Sequence, residues 1–258
     1  MSLQISVRLD YWFEEATDIL LQLEAAAIPE QMIETAAIEI TPGEHFARVA
    51  AQDQIGERIW VRTQGQLLVD YRATVRIERV LDDCLDLPAV ALHHLPGETV
   101  QYLMASRYCP SDQFHTFVET EFGESTGGAK VIAMRDWIAR HLTYVPGVSD
   151  SETTALDTFV KRQGICRDYA HMLITFARAA GIPARIASVY ALGVDPPDFH
   201  AVAEIFLGGE WHLIDATGMA TEQDMAKIGI GRDVADVAFL TAFGTAVMRS
   251  QRVEVSAA

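Results

Sequence analysis

Apolar and polar residues alternate along Ile5-Ser6-Val7-Arg8-Leu9-Asp10-Tyr11, and a period of two predicts a strand with one face buried. Further strand patterns cover Met32 to Ile40, Phe46 to Ala50, Ile55 to Val61, and Gln66 to Arg76 and on to Val80. Turns are expected at Gly43, Gly56 and Gly65. Short strands at this spacing predict an antiparallel β-sandwich over residues 1–100. Thr17 to Ala27 fits two patterns. Its propensities suit a helix, while Ile19, Leu21 and Leu23 alternate as in a strand. Residues 81–112 read as a connection, punctuated by Asp82-Asp83, Pro88, Pro96-Gly97 and Pro110, with Tyr102 to Tyr108 a short extended piece.

From Ser111 the period lengthens to that of helices. Ser111 or Asp112 can cap a short helix through Phe122. Ser125 or Thr126 opens a longer one carrying Val131, Ile132, Met134, Trp137, Ile138 and Leu142. Thr153 and Thr154 precede a third, with Ala155, Leu156, Phe159 and Val160 inward. A fourth runs from Ile165 to Ala180 without proline or glycine. Cys166, Tyr169, Ala170, Leu173, Ala177 and Ala180 fall on one stripe, and Gly181 and Pro183 end it. Strands are then expected at Ala184 to Leu192, His200 to Leu207 and Glu210 to Ala216, the last two joined at Gly208-Gly209. After a polar loop, Val234 to Thr241 and Val247 to Val255 complete the pattern. The whole predicts an α+β protein. A β-rich domain over 1–100 precedes a domain over 101–258 in which a helix packs on an antiparallel sheet.

Composition narrows the function. The 258 residues carry a formal net charge of −16, with a pI near 4.8. Such a chain is not expected to bind nucleic acid or an anionic membrane surface. No run of 18 uncharged apolar residues predicts a membrane span. No basic segment followed by an apolar stretch precedes the first strand, and a cytoplasmic location is expected. The cysteines are Cys84, Cys109 and Cys166, an odd number at long spacings, so no disulfide framework is implied. Neither Cys-x-x-Cys nor His-Glu-x-x-His occurs, and no metal or cofactor is expected.

Candidate chemistry centres on Cys166. It falls in the first turn of the fourth helix, where free N–H groups and the helix dipole favour an anion. Alone, a cysteine there is better explained as a small buried hydrophobe. The hairpin adds to it. With a two-residue turn at Gly208-Gly209, Leu207 pairs with Glu210 and paired numbers sum to 417. His200 then faces Thr217 and Asp215 faces Val202, so His200 and Asp215 are diagonal neighbours on one face. Their backbones lie about 7–8 Å apart, within side-chain reach. A thiol at a helix start, an imidazole and a carboxylate to hold it make up a nucleophile, base and orienter. The Cys166 N–H can serve a developing oxyanion. Tyr144, or alternatively Gln163, is the expected second donor.

Gly164-Ile165-Cys166-Arg167-Asp168-Tyr169-Ala170-His171, Gly181-Ile182-Pro183-Ala184-Arg185, His200-Ala201-Val202-Ala203-Glu204 and Trp211-His212-Leu213-Ile214-Asp215-Ala216-Thr217 together resemble the transglutaminase-like superfamily. The likeness is nearest to its bacterial cysteine peptidases and covers about residues 100–245. The loop Gly229 to Val237 shares it, and residues 1–100 resemble the β-rich region such proteins often carry. The resemblance implies a papain-like, transglutaminase-like core in which Cys166, His200 and Asp215 are the catalytic triad. It implies thioester chemistry on a peptide or protein amide, by hydrolysis or transamidation. A non-catalytic peptide-binding module on the same fold is the alternative. Val202 stands where the family usually has tryptophan, and Ala216 where it has proline. Both substitutions bear on the shape of the substrate cleft rather than on the triad.

Overall fold

A computed structural model describes every residue except Asp82, so that part of the expected connection lies outside the described residues. The first strands are long. β1 spans Ser2–Leu21, β2 Gln31–Ile40, β3 His45–Ala50 and β4 Glu57–Ile77. β1 and β4 pair antiparallel from end to end, with a register shift between Phe13 and Thr17. That shift is a bulge. It lets Leu3 through Phe13 at odd positions, and then Thr17, Ile19 and Leu21, all face inward across a bend. Thr17 to Leu21 is therefore strand. Gly65 lies inside β4 opposite Phe13 rather than in a turn, with φ +84°. Glycine accepts that backbone, and the strand bends there instead of ending.

The helical part follows. α1 is His115–Phe122, α2 Gly127–His141, α3 Ala155–Lys161 and α4 Cys166–Ala179. Two short strands lie among them, β5 at Thr143–Tyr144 and β6 at Gln163–Gly164. α3 starts with a reciprocal cap, the Thr154 hydroxyl and Asp157 carboxylate each meeting the other's N–H. Its Ala155 and Phe159 face inward, whereas Leu156 and Val160 are exposed, contrary to expectation. Phe114, Phe117, Trp137, Phe159 and Phe176 form one aromatic cluster that seats α1, α2 and α3 on α4. Each such ring buried contributes roughly 1.5–3 kcal/mol.

The remaining strands are β7 Ala184–Ala191, β8 His200–Leu207, β9 Glu210–Ile214, β10 Met225–Gly231, β11 Leu240–Ala242 and β12 Val247–Ala257. A four-stranded antiparallel sheet has the order β10-β7-β8-β9, and α4 packs on it through Leu173, Ala177, Ala203 and Ile205. β10 occupies the expected polar loop. Its seven residues are all buried, and Lys227, Gly229 and Gly231 disguise it in the sequence. Val234 to Thr241 is not a strand. Val234–Asp236 is one 3-10 turn, and only Leu240–Ala242 pairs. Tyr102 likewise sits in a 3-10 helix, Gly97–Leu103, its hydroxyl bonded to Asp53 at 2.6 Å.

The self-contained sandwich expected for residues 1–100 is absent. Those strands form one sheet, and the layer facing it comes from the second sheet through Tyr190, Ala226 and Ile228. Two of its six strands are β11 and β12, which return from the C-terminal end to pair with β1. The physical reason is the free edge of β1, whose backbone groups need partners. Residues from both sides of a boundary near residue 100 therefore share one sheet. No helix among the described residues is long and apolar enough to cross a membrane.

Candidate active site

The loop leading into α4 is built tightly. β5 and β6 pair in parallel, Tyr144 opposite Gly164, with Thr143 N–H bonded to Arg162 O at 2.9 Å and Val145 N–H to Gly164 O at 3.0 Å. This ladder brings Tyr144 beside the helix start. Ile165 is the N-cap residue, and its own N–H is bound at 2.8 Å by Asp168 Oδ2, folded back from the first turn. Gly164 makes room for that fold-back: a Cβ there would fall 2.7 Å from Asp168 Cβ. Arg167 holds the other Asp168 oxygen and the Asp150 carbonyl. Cys166 is thus the first helical residue, half-buried, with an N–H that has no acceptor within the helix.

The β8–β9 hairpin pairs with a sum of 417, from Leu207 opposite Glu210 to Ala203 opposite Ile214. Extending that register puts His200 and Asp215 diagonally on one face, and their side chains meet, Nε2 to Oδ2, at 2.9 Å. Both residues are buried. Asp215 Oδ1 accepts from the Thr217 N–H and hydroxyl, at 2.8 and 2.7 Å, while Oδ2 also accepts from Ala220 N–H at 3.1 Å. Burial pushes the Asp215 pKa up, but His200 and Thr217 outweigh it and the carboxyl stays below its ordinary value. His200 shows the converse balance. Burial disfavours its charge, yet the Asp215 hydrogen bond and the Cys166 side chain raise its pKa to about 9. With Nε2 on Asp215, the nitrogen left over is Nδ1, buried and without a hydrogen-bond partner among the described residues.

Of the two expected donors, the structure brings Tyr144 to Cys166 and leaves Gln163 outside. Tyr144 stands opposite Gly164 across the β5–β6 pair, two residues before Cys166. Burial first, and then the Cys166 charge, push its pKa up to about 12, so it keeps its proton. Gln163 is exposed and has no side-chain hydrogen bond among the described residues. Thr217 was not anticipated as the group that holds Asp215. An Asp followed two residues later by Thr is a readable turn signal, and it is the one that orients this carboxylate. Val202 and Ala216 do not line a cleft. Each is a core residue, at 1% and 2% exposure, so the departures from tryptophan and proline adjust packing.

The sequence model of the transglutaminase-like superfamily matches residues 116–216, which contain Cys166, His200 and Asp215. A crystal structure from Cytophaga hutchinsonii named a "putative cysteine protease" is 33% identical, with a TM-score of 0.93 over 99% of this chain and 90% of that one. The chain belongs to the transglutaminase-like superfamily. Its likeness to curated relatives is more local. An uncharacterized protein of Mycobacterium leprae is 29% identical over 116 residues, 42% of each chain. One of Mycobacterium tuberculosis is 31% identical over 126 residues, covering 42% of this chain and 40% of that one. The match thus spans about two fifths of the length of these relatives, while the superfamily likeness to the Cytophaga protein includes the strands on both sides of the core.

Proposed function

We propose that the protein transfers an acyl group from an amide of a peptide or protein through a thioester on Cys166. The observation that carries this reading is the buried His200–Asp215 pair, whose remaining nitrogen is left for a cysteine at a helix start. In the first step His200 Nδ1 takes the thiol proton and the sulfur attacks the carbonyl carbon. The carbonyl oxygen becomes an oxyanion, for which the Cys166 N–H and the Tyr144 hydroxyl are the donors. A donor of this kind contributes about 10²–10³ in rate. The imidazolium then protonates the leaving amine as the C–N bond breaks, leaving the thioester. Water activated by His200 releases the acid, or an amine in its place forms a new amide. Asp215 stays ionised, fixes the imidazole tautomer and stabilises the imidazolium.

The test is the rate of Cys166 alkylation against pH in wild type and in His200→Ala. Rapid alkylation in the wild type well below the range of an ordinary thiol, near pH 8.5, with collapse at low pH in the variant, is the expected result. Identical ordinary profiles in both proteins would sink the catalytic reading and leave a peptide-binding module.

A further inference from the structure

We infer that the groove between the six-stranded sheet and the β7–β8 loop receives the amine-side chain of a polypeptide substrate. The first hundred residues then form a specificity wall for the chemistry at Cys166. The inference rests on the acyl-transfer reading and says which part of the substrate goes where.

The groove has a volume of about 780 Å³, inside the range of roughly 300–1,000 Å³ usual for ligand clefts. Its floor is centred on one row across the sheet. Ile5 stands opposite Val255 on one side and Ala73 on the other, and Ala73 stands opposite Ala36. The rows above and below carry Val75 with Ile33 and Tyr71 with Ile38. The alanine pair between them is what leaves the space. The roof is the loop from β7 to β8, through Gly193, Val194, Pro197 and Asp198.

Asp198 ties this groove to the triad. It lines the roof and stands two residues before His200. Its Oδ1 accepts from Phe199 N–H at 2.7 Å and from Gln251 Nε2 at 2.6 Å, and Phe199 stacks on Phe239 at 4.4 Å. The loop is therefore fastened to the sheet beneath it. Asp198 Oδ2 has no partner among the described residues. After burial, the Asp198 charge raises the pKa of Tyr11, on the sheet, and, behind the Cys166 charge, that of Tyr144. Asp198 thus looks both ways. Of the other charges lining the groove, Arg72 is taken up by Asp70 at 3.0 Å and Glu254 by Arg252 at 2.6 Å.

Direction follows from the proton. His200 protonates the leaving amine, so that amine lies on the His200 side and the groove lies beyond it. An extended chain advances about 3.3–3.6 Å per residue, so a few residues carry it past Asp198. A small amine would end before the groove. The alanine row suits a medium apolar side chain, and the free Asp198 oxygen suits a cationic one.

N-chloroacetyl peptides test this, because the thiolate displaces chloride from the chloroacetyl carbon and the peptide then lies on the amine side. Cys166 alkylation is followed by intact mass with chloroacetamide and with N-chloroacetyl pentapeptide amides of alanine and leucine containing one lysine or one glutamate. In wild type the lysine peptide should react about tenfold faster than chloroacetamide and saturate, equivalent to about 1.4 kcal/mol of binding. Ala36→Trp in the floor and Val194→Trp in the roof should each bring the peptide-to-chloroacetamide ratio near unity. Asp198→Asn should abolish the preference for lysine over glutamate. A wild-type ratio near unity, or one that survives both tryptophan variants, overturns the groove. A lysine preference that survives Asp198→Asn overturns the role of Asp198. Failure of the acyl-transfer reading is separate: it would show as a chloroacetamide rate that His200→Ala does not alter.

Discussion

At the scale of the residue, two histidines titrate in opposite directions, and each makes a prediction. His200 has its pKa raised from 6.5 to about 9, because Asp215 and Cys166 outweigh burial. A base whose folded pKa exceeds its unfolded one adds stability that is complete below about pH 6.5 and lost as the pH rises through about 9. Asp215→Asn removes the anion that holds the imidazolium. Thermal melts between about pH 6.5 and 9 should therefore lose less stability with pH in the variant than in wild type. An equally steep loss would count against the pair. His171, on the inner side of α4, is pushed down to about 3, chiefly by burial, and its Nε2 accepts Val234 N–H at 3.2 Å. Its contribution is present above about pH 6.5 and lost as the pH falls towards 3. His171→Gln keeps an acceptor but removes the titration, so its acid-unfolding midpoint should move to lower pH. The His200–Asp215 hydrogen bond was legible because the hairpin register puts both side chains on one face. His171 was quoted in the motif yet given no role, since burial of an imidazole on an all-buried helix face leaves no mark in a single sequence.

At the scale of the element, the start of α4 depends on Asp168 reaching back to Ile165 and on Gly164 leaving it space. Asp168→Ala removes the cap and should cost about 1 kcal/mol. Gly164→Ala should cost at least as much, since its Cβ would overlap the Asp168 side chain. Both should slow Cys166 alkylation as the first turn frays, and urea melts alongside alkylation rates check both effects. A variant that lost stability with an unchanged alkylation rate would show that the cap does not position the thiol. The β8–β9 register was legible from arithmetic, because a two-residue glycine turn leaves only one way to pair the strands. β10 was not. A strand buried on both faces has no alternation to betray it, and Lys227 and two glycines imitate a loop. Gly65 misled for the same reason: a glycine that bends a strand at a bulge reads like one that ends it.

At the scale of the whole molecule, the two sheets are stitched by a buried ionic chain that local patterns do not show. Glu204 on β8 meets Lys227 on β10 and Arg185 on β7. Lys227 continues to Glu30, before β2, at 2.9 Å, and Glu30 to Arg79, after β4, at 2.8 Å. Burial raises the Glu204 pKa, but Lys227 and Arg185 more than reverse it and hold the carboxyl near 2. Lys227→Met would leave that carboxylate buried without one partner, and breaking a buried pair from one side costs about 3–5 kcal/mol. Adding Glu204→Leu removes the stranded charge and should restore part of the loss, though Arg185 and Glu30 then lose a partner. Urea denaturation can report on each sheet separately, with Trp12 and Trp60 in the first and Trp211 in the second. Because β11 and β12 close the first sheet and the ionic chain crosses to the second, Trp12, Trp60 and Trp211, each followed in a variant that keeps it as the single tryptophan of the four, should report one transition, and Lys227→Met should shift that transition as a whole. Two separated transitions, with only the Trp211 signal moved, would mean that the sheets fold independently and that the chain across them adds little.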